Sequence, residues 1–206
     1  MSKVEIDKNQ LVRGQHIYVQ RAGGVYTHHG IYVGKDSNES PVQYVIHFIG
    51  DPQNGSSIIS ASSINSVSSA GYGSSTSSQA CKDCNYRRNI DGGVLKTCLN
   101  CFINDSLGET KLYLYRYGVS PEDKDVSSAG TCSCKPAKSP EEIVKNAYKK
   151  LKDPKPRKYN LLTSNCETFA TECSTESGES GQADNVIKKA GFAGVGVLTV
   201  GRCLFL

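Results

Sequence analysis

The sequence has little excess charge of either sign. Over 206 residues, 24 Lys and Arg stand against 20 Asp and Glu, a net of +4. That excess is mild, and no basic stripe interleaved with aromatics accompanies it, which argues against nucleic acid as a partner. The first residues, MSKVEIDKNQ, are polar and lack the apolar core of a secretory leader. The apolar, glycine-rich stretch AGFAGVGVLTVGRCLFL (190–206) is shorter than the roughly 20 residues that cross a bilayer, and Arg202 interrupts it. These absences predict a cytoplasmic chain with reduced thiols, in which cysteines serve metals or catalysis rather than disulfides. Histidine is scarce, at four residues.

What is present suits one α+β domain with a hydrophobic core. QHIYVQR (15–21), HHGIYVG (28–34) and QYVIHFI (43–49) are rich in β-branched and aromatic residues and are separated by turn-prone pieces, which predicts an antiparallel β-meander. ETKLYLYRYGV (109–119) alternates like a further strand. SPEEIVKNAYKKLK (139–152) predicts a helix, with Ser139 and Glu142 in capping-box spacing and Pro140 in the first turn. A second helix is expected over about 165–173. A serine-dominated run from Gly55 to Gln79 reads as a flexible insertion. The domain is placed at 10–175, with an insertion at 51–108 holding the Ser-rich loop and a Cys-rich segment. The C-terminal apolar tail takes 176–206, packed on the domain or in peripheral contact with a membrane, with a weak or truncated membrane anchor as the other reading.

Nine cysteines, an odd count, cannot all pair within the chain. Cys81-x2-Cys84, thirteen residues, then Cys98-x2-Cys101 is a pattern that suits structural zinc, because four thiolates fit a tetrahedral ion. Free or redox-active thiols are the other reading. Four protein ligands would leave no open position, so such a site would not take part in catalysis. Cys132 and Cys134 form a weaker C-x-C pair that could join a metal.

NCETFA (165–170) is the most informative stretch. Asn165 or Ser164 can cap a helix there, and Ser164 with Glu167 also has capping-box spacing. Cys166 then lies in the first turn, where the helix dipole favours thiolate and free amides can bind an oxyanion. The alternative is a cysteine that only packs. A thiol nucleophile needs a base and an orienter. His28 shares a strand face with Gly30 and Tyr32, and His29 lies on the opposite face. His47 stands on the next strand, where cross-strand neighbours are about 5 Å apart, so His28 and His47 are within reach of one another.

YTHHGIYVG (26–34), VIHF (45–48) and NCETFA, in that order, resemble the lecithin:retinol acyltransferase-like proteins of the NlpC/P60 superfamily, and the insertion and Cys-rich segment resemble the plant members. The resemblance implies a permuted papain-like fold. It implies Cys166 as nucleophile, His28 as base, His47 as the residue that orients His28, and Tyr26 as an aid to the oxyanion. Thr168 stands where many animal members have histidine. The implied reaction is acyl transfer from a lipid ester or other acyl donor through a cysteine thioester, with no cofactor for catalysis. Two other functions stand beside it: a non-catalytic, zinc-stabilised interaction module, and a thiol peptidase or amidase.

Overall fold

The structure is a computed structural model that describes residues 3–21, 24, 26–51, 79–105, 108–120, 130–155, 157–160, 163–175 and 177. Nearly all of the Ser-rich run and of the C-terminal tail lies outside the described residues. The elements, in chain order, are β1 (Val4–Glu5), β2 (His16–Arg21), β3 (Tyr26–Lys35), β4 (Gln43–Ile49), β5 (Gly93–Cys98), α1 (Leu99–Ile103), β6 (Asn104–Asp105), β7 (Gly108–Glu109), β8 (Leu112–Leu114), α2 (Pro140–Leu151) and α3 (Cys166–Ser174). The chain is thus α+β, with an antiparallel sheet packed on a few helices. Six strands run in the order β1-β8-β2-β3-β4-β5, so β2 to β5 form the expected meander and β5 is an outer strand. The meander's fourth strand, β5, and the short α1 fall in the segment the sequence reading treated as a cysteine knuckle.

Side-chain alternation along the central strands builds two cores. Ile31, Val33, Ile46 and Phe48 face α2 and α3, meeting Ile143, Val144, Ala147, Phe169, Ala170 and Cys173. Tyr32 and Val45 face the other way, joining Ile17, Val19 and Leu112 against Leu99, Phe102 and Ile103 of α1. Because helices cover both faces, β3 is buried continuously from His29 to Val33.

Local signals account for the helices. Ser139 and Glu142 form the capping box of α2 with Pro140 at its start. At α3 the cap is Asn165, whose Oδ1 accepts from the Thr168 amide at 2.9 Å. Ser164 instead pairs by its backbone with Asn160, which frees Glu167 from capping. The 109–119 stretch is broken into pieces. Gly108–Glu109 pairs with β6, Leu112–Leu114 pairs with β2 and β1, and Arg116 bridges to Cys132.

Candidate functional site

Cys166 is the first residue of α3 and is buried. A thiol at this position sits where backbone dipoles converge. Its Sγ donates to the carbonyl of Thr27 at 3.7 Å. That carbonyl lies on a stretch of β3 whose ladder to β4 has ended, since pairing with β4 begins only at Gly30. Two phenols are close enough to Cys166 to feel its charge. Burial pushes the Tyr159 hydroxyl well up, and Cys166 adds to this through its charge and a side-chain hydrogen bond. Burial also pushes Tyr26 up; the Arg21 cation opposes this, and the charge of Cys166 reinforces it. Tyr26 was expected from the sequence. Tyr159 was not, because it lies in a loop between helices with no periodicity to mark it.

His28 Nε2 lies 2.7 Å from His47 Nδ1, and His47 Nε2 lies 2.9 Å from Thr97 Oγ1 on β5. The pair is walled by Phe102 of α1, whose ring centroid is 5.3 Å from each imidazole. Burial, reinforced by His47 and then by the nearby Arg21 guanidinium, holds His28 well below the usual imidazole range. Burial, again helped by Arg21, brings His47 to about 3. Both rings are therefore neutral at pH 7, the state in which an imidazole can accept a proton. His28 Nδ1 makes no hydrogen bond among the described residues.

The strand faces define how these groups relate. His28 and His47 lie on the α1 side of the sheet with Phe102, while the body of α3 packs on the opposite side. Cys166 reaches β3 at Thr27, the neighbour of His28, along the edge that β4 leaves open. At such an edge, groups from the two sides can approach one another without passing through the sheet. The structure therefore brings His28 and His47 together directly and sets Cys166 on the adjoining residue.

A second histidine pair occupies the α3 side. His16 Nε2 lies 2.9 Å from His29 Nδ1, His16 Nδ1 lies 2.8 Å from Tyr117 Oη, and His29 Nε2 lies 2.8 Å from Thr27 Oγ1. His16 stacks on Tyr115 at 4.2 Å, and Tyr18 stacks on His29 at 5.3 Å. Burial holds His16 well below its usual value and brings His29 to about 3. Thr27 thus serves both sides, with its hydroxyl on His29 and its carbonyl on Cys166. Glu167 is fully buried beneath this cluster, and Tyr115 Oη donates to its Oε1 at 3.4 Å. The signal in the sequence was the period-two pattern of His16 and Tyr18 beside Tyr113, Tyr115 and Tyr117.

Sulfur atoms of Cys81, Cys84, Cys98 and Cys101 all lie within 4.8 Å of one another. The Cys81–Cys98 and Cys84–Cys101 separations are 3.8 Å each. Four ligands at about 2.3 Å from a tetrahedral ion stand about 3.8 Å apart, so the donor set fits zinc in spacing as well as in chemistry. The first knuckle is turned by Asn85, whose φ of 58° is a left-handed conformation that asparagine tolerates. The Asn85 amide donates to the Cys81 carbonyl at 2.8 Å. In the second knuckle, the Cys101 amide donates to Cys98 Sγ at 3.4 Å. Cys132 and Cys134 do not join this group. Cys132 is a buried thiol outside it. Among the described residues, no helix is long and apolar enough to cross a membrane.

The lecithin retinol acyltransferase family model matches residues 9–179. The chain is also similar to Protein LEAD-SENSITIVE 1 of Arabidopsis thaliana, at 33% identity over 191 residues that cover 88% of this chain and 67% of that protein.

Proposed function

Because the chain belongs to the lecithin retinol acyltransferase family, we propose that it is a thiol-dependent acyltransferase or lipid acyl hydrolase with a permuted papain-like fold. The carrying observation is a helix-start cysteine bonded to the carbonyl next to His28, itself hydrogen-bonded to His47. In this reading, His28 takes the Cys166 proton on Nδ1, while His47, fixed by Thr97, orients the ring from Nε2. The thiolate adds to the ester carbonyl of a lipid acyl donor. The tetrahedral oxyanion is met by the first-turn amides of α3 and by the hydroxyls of Tyr26 and Tyr159. The alcohol leaves with the proton from His28, giving a thioester on Cys166. Water, an amine or an alcohol then takes the acyl group as the thiol is regenerated. The cysteine cluster holds structural zinc and supplies no step. The C-terminal tail is the segment through which peripheral membrane contact would occur.

The test is the pH dependence of Cys166 alkylation by iodoacetamide, followed by peptide mass spectrometry in wild type and His28→Ala. The expected result is reaction well below the free-thiol pKa near 8.5, slowed by His28→Ala. A Cys166 that reacts no faster than buried Cys173, regardless of His28, overturns the enzyme reading. The zinc-stabilised interaction module would then be the better account.

A further inference from the structure

Cys98 and Cys101 belong to the cysteine cluster, and the residues immediately outside them, Thr97 and Phe102, are the two that hold the histidine pair. Thr97 Oγ1 is 2.9 Å from His47 Nε2. The Phe102 ring lies 5.3 Å from both His28 and His47. The same short segment, the end of β5 and the start of α1, therefore serves two purposes. Its sulfurs face the knuckle at Cys81 and Cys84, and its flanking side chains face the imidazoles.

We propose that a soft divalent cation, zinc in the first instance, bound by Cys81, Cys84, Cys98 and Cys101 sets the geometry of the His28–His47 pair and so controls the reactivity of Cys166. The inference rests on the acyl-transfer reading of that site.

Topology gives the physical reason. β5 is an edge strand, so among the described residues its outer side has no strand partner beyond the ladder to β4. α1 is five residues long, too short to hold itself by its own hydrogen bonds. Within the second knuckle, one long N–H···S bond joins Cys101 to Cys98. An ion that ties Cys98 and Cys101 to the turn at Cys81–Cys84 adds an outer anchor to the bonds that Arg21 makes to the carbonyls of Phe102 and Ile103 and Arg88 to that of Cys101. That turn has its own attachment, since Tyr44 Oη on β4 donates to the Asp83 carbonyl at 3.4 Å. The bound ion would close a loop of contacts from β4 through the turn to β5 and α1. With it, the Thr97 hydroxyl and the Phe102 ring are held against the imidazoles. Without it, the tie from the turn to β5 and α1 is lost, and Thr97 and Phe102 are held less closely against the imidazoles. Direct coordination chemistry at Cys166 is not needed for this coupling.

The experiment compares zinc-loaded protein with protein stripped by a chelator at pH 7.5. It reads zinc content, the alkylation rate of the Cys166 peptide, and the ring-nitrogen NMR signals of all four histidines. The expected result is one zinc per chain. On removal, Cys166 alkylation slows tenfold or more and the His28 and His47 signals move, while those of His16 and His29 stay. Zinc that binds and leaves with no change in Cys166 or His47 overturns the coupling while leaving the metal site intact. Failure to bind zinc overturns both. Alkylation indifferent to His28→Ala in the loaded protein overturns the acyl-transfer reading instead. Should the stripped chain unfold, Thr97→Val decides, because it cuts the link and leaves the four cysteines. Zinc retained with slow Cys166 upholds the proposal, and zinc retained with wild-type reactivity refutes it.

Discussion

The Nε2 of His28 lies 2.7 Å from the Nδ1 of His47, although the residue directly across the ladder from His47 is Gly30. The pair is diagonal, and it forms in space that Gly30 leaves empty. A Cβ on residue 30 would stand 2.6 Å from Val45 Cγ1, 3.0 Å from Phe102 Cε2 and 3.1 Å from the Cβ of His47. Val45 is β-branched and fully buried, so it cannot turn aside. Gly30→Ala is expected to cost about 1–3 kcal/mol of stability, as overpacking does, and to slow Cys166 alkylation by separating the imidazoles. Urea unfolding and the alkylation rate check this. A variant matching wild type in both would show that the gap is not needed.

Asn165 fixes where α3 begins, and so where the thiol sits. Asn165→Ala removes the acceptor for the Thr168 amide, and such a loss costs about 0.5–2 kcal/mol. The start of the helix then frays, the dipole at Cys166 weakens, and the thiol titrates at higher pH. Asn165→Asp, which keeps the cap, should retain the helix. Equal alkylation profiles for wild type and Asn165→Ala would rule out helix-start activation.

The two phenols beside Cys166 are predicted to be unequal. Tyr159 hydrogen-bonds Cys166, whereas Tyr26 feels Cys166 only through the thiolate's charge and lies near Arg21. Tyr159→Phe keeps the ring that meets Phe48 at 5.0 Å and removes only the hydroxyl. Loss of one oxyanion donor typically lowers kcat by about 10²–10³-fold. Tyr159→Phe should fall in that range with KM nearly unchanged, and Tyr26→Phe should fall less. The reverse order would assign the donor to Tyr26.

Acid should unfold the protein through its histidines. His29 and His47 titrate at about 3 in the folded chain because of burial, against about 6.5 when unfolded. Above pH 6.5 both states are neutral and the full stability is present. As pH falls through 6.5 the unfolded chain takes up protons that the folded chain refuses, so stability is lost progressively toward pH 3. Each such histidine costs about 1.4 kcal/mol per pH unit, so His29 and His47 together should remove about 3 kcal/mol between pH 7.5 and 5.5. Urea midpoints across that interval measure it, and a flat profile would contradict neutral burial.

Much of this was legible in the sequence where one periodicity dominated. Gln43–Ile49 was read to the residue, and α2 announced itself through Ser139, Glu142 and an apolar face. The reach of His28 to His47 followed from adjacent strands. The need for Gly30 did not, because it depends on where a missing atom would fall among Val45, Phe102 and His47. β5 escaped notice because GVLKTC carries no clean alternation and ends on a cysteine that spacing assigned to a metal. α1, at five residues, is too short for a helical period to show. The His16–His29 pair was missed because its two members lie on different strands and meet only once the β2–β3 register is known. The match to the family needed none of these, since it rests on the order and residue types of three short motifs.

The cysteine turn has a further effect on what the chain can carry. β4 and β5 lie side by side, paired from Tyr44 to Ile49, yet residues 50–92 lie between them in the sequence, and the chain returns to β5 by way of Cys81 and Cys84. Once that return is pinned to β5 and α1, the register of the sheet no longer depends on the length of what precedes it. Closing a longer loop is cheap, at about 0.6 kcal/mol per doubling. The stretch between Asp51 and Gln79 is therefore a place where the protein can gain or lose sequence with little effect on the histidines, and a natural point at which to insert a reporter.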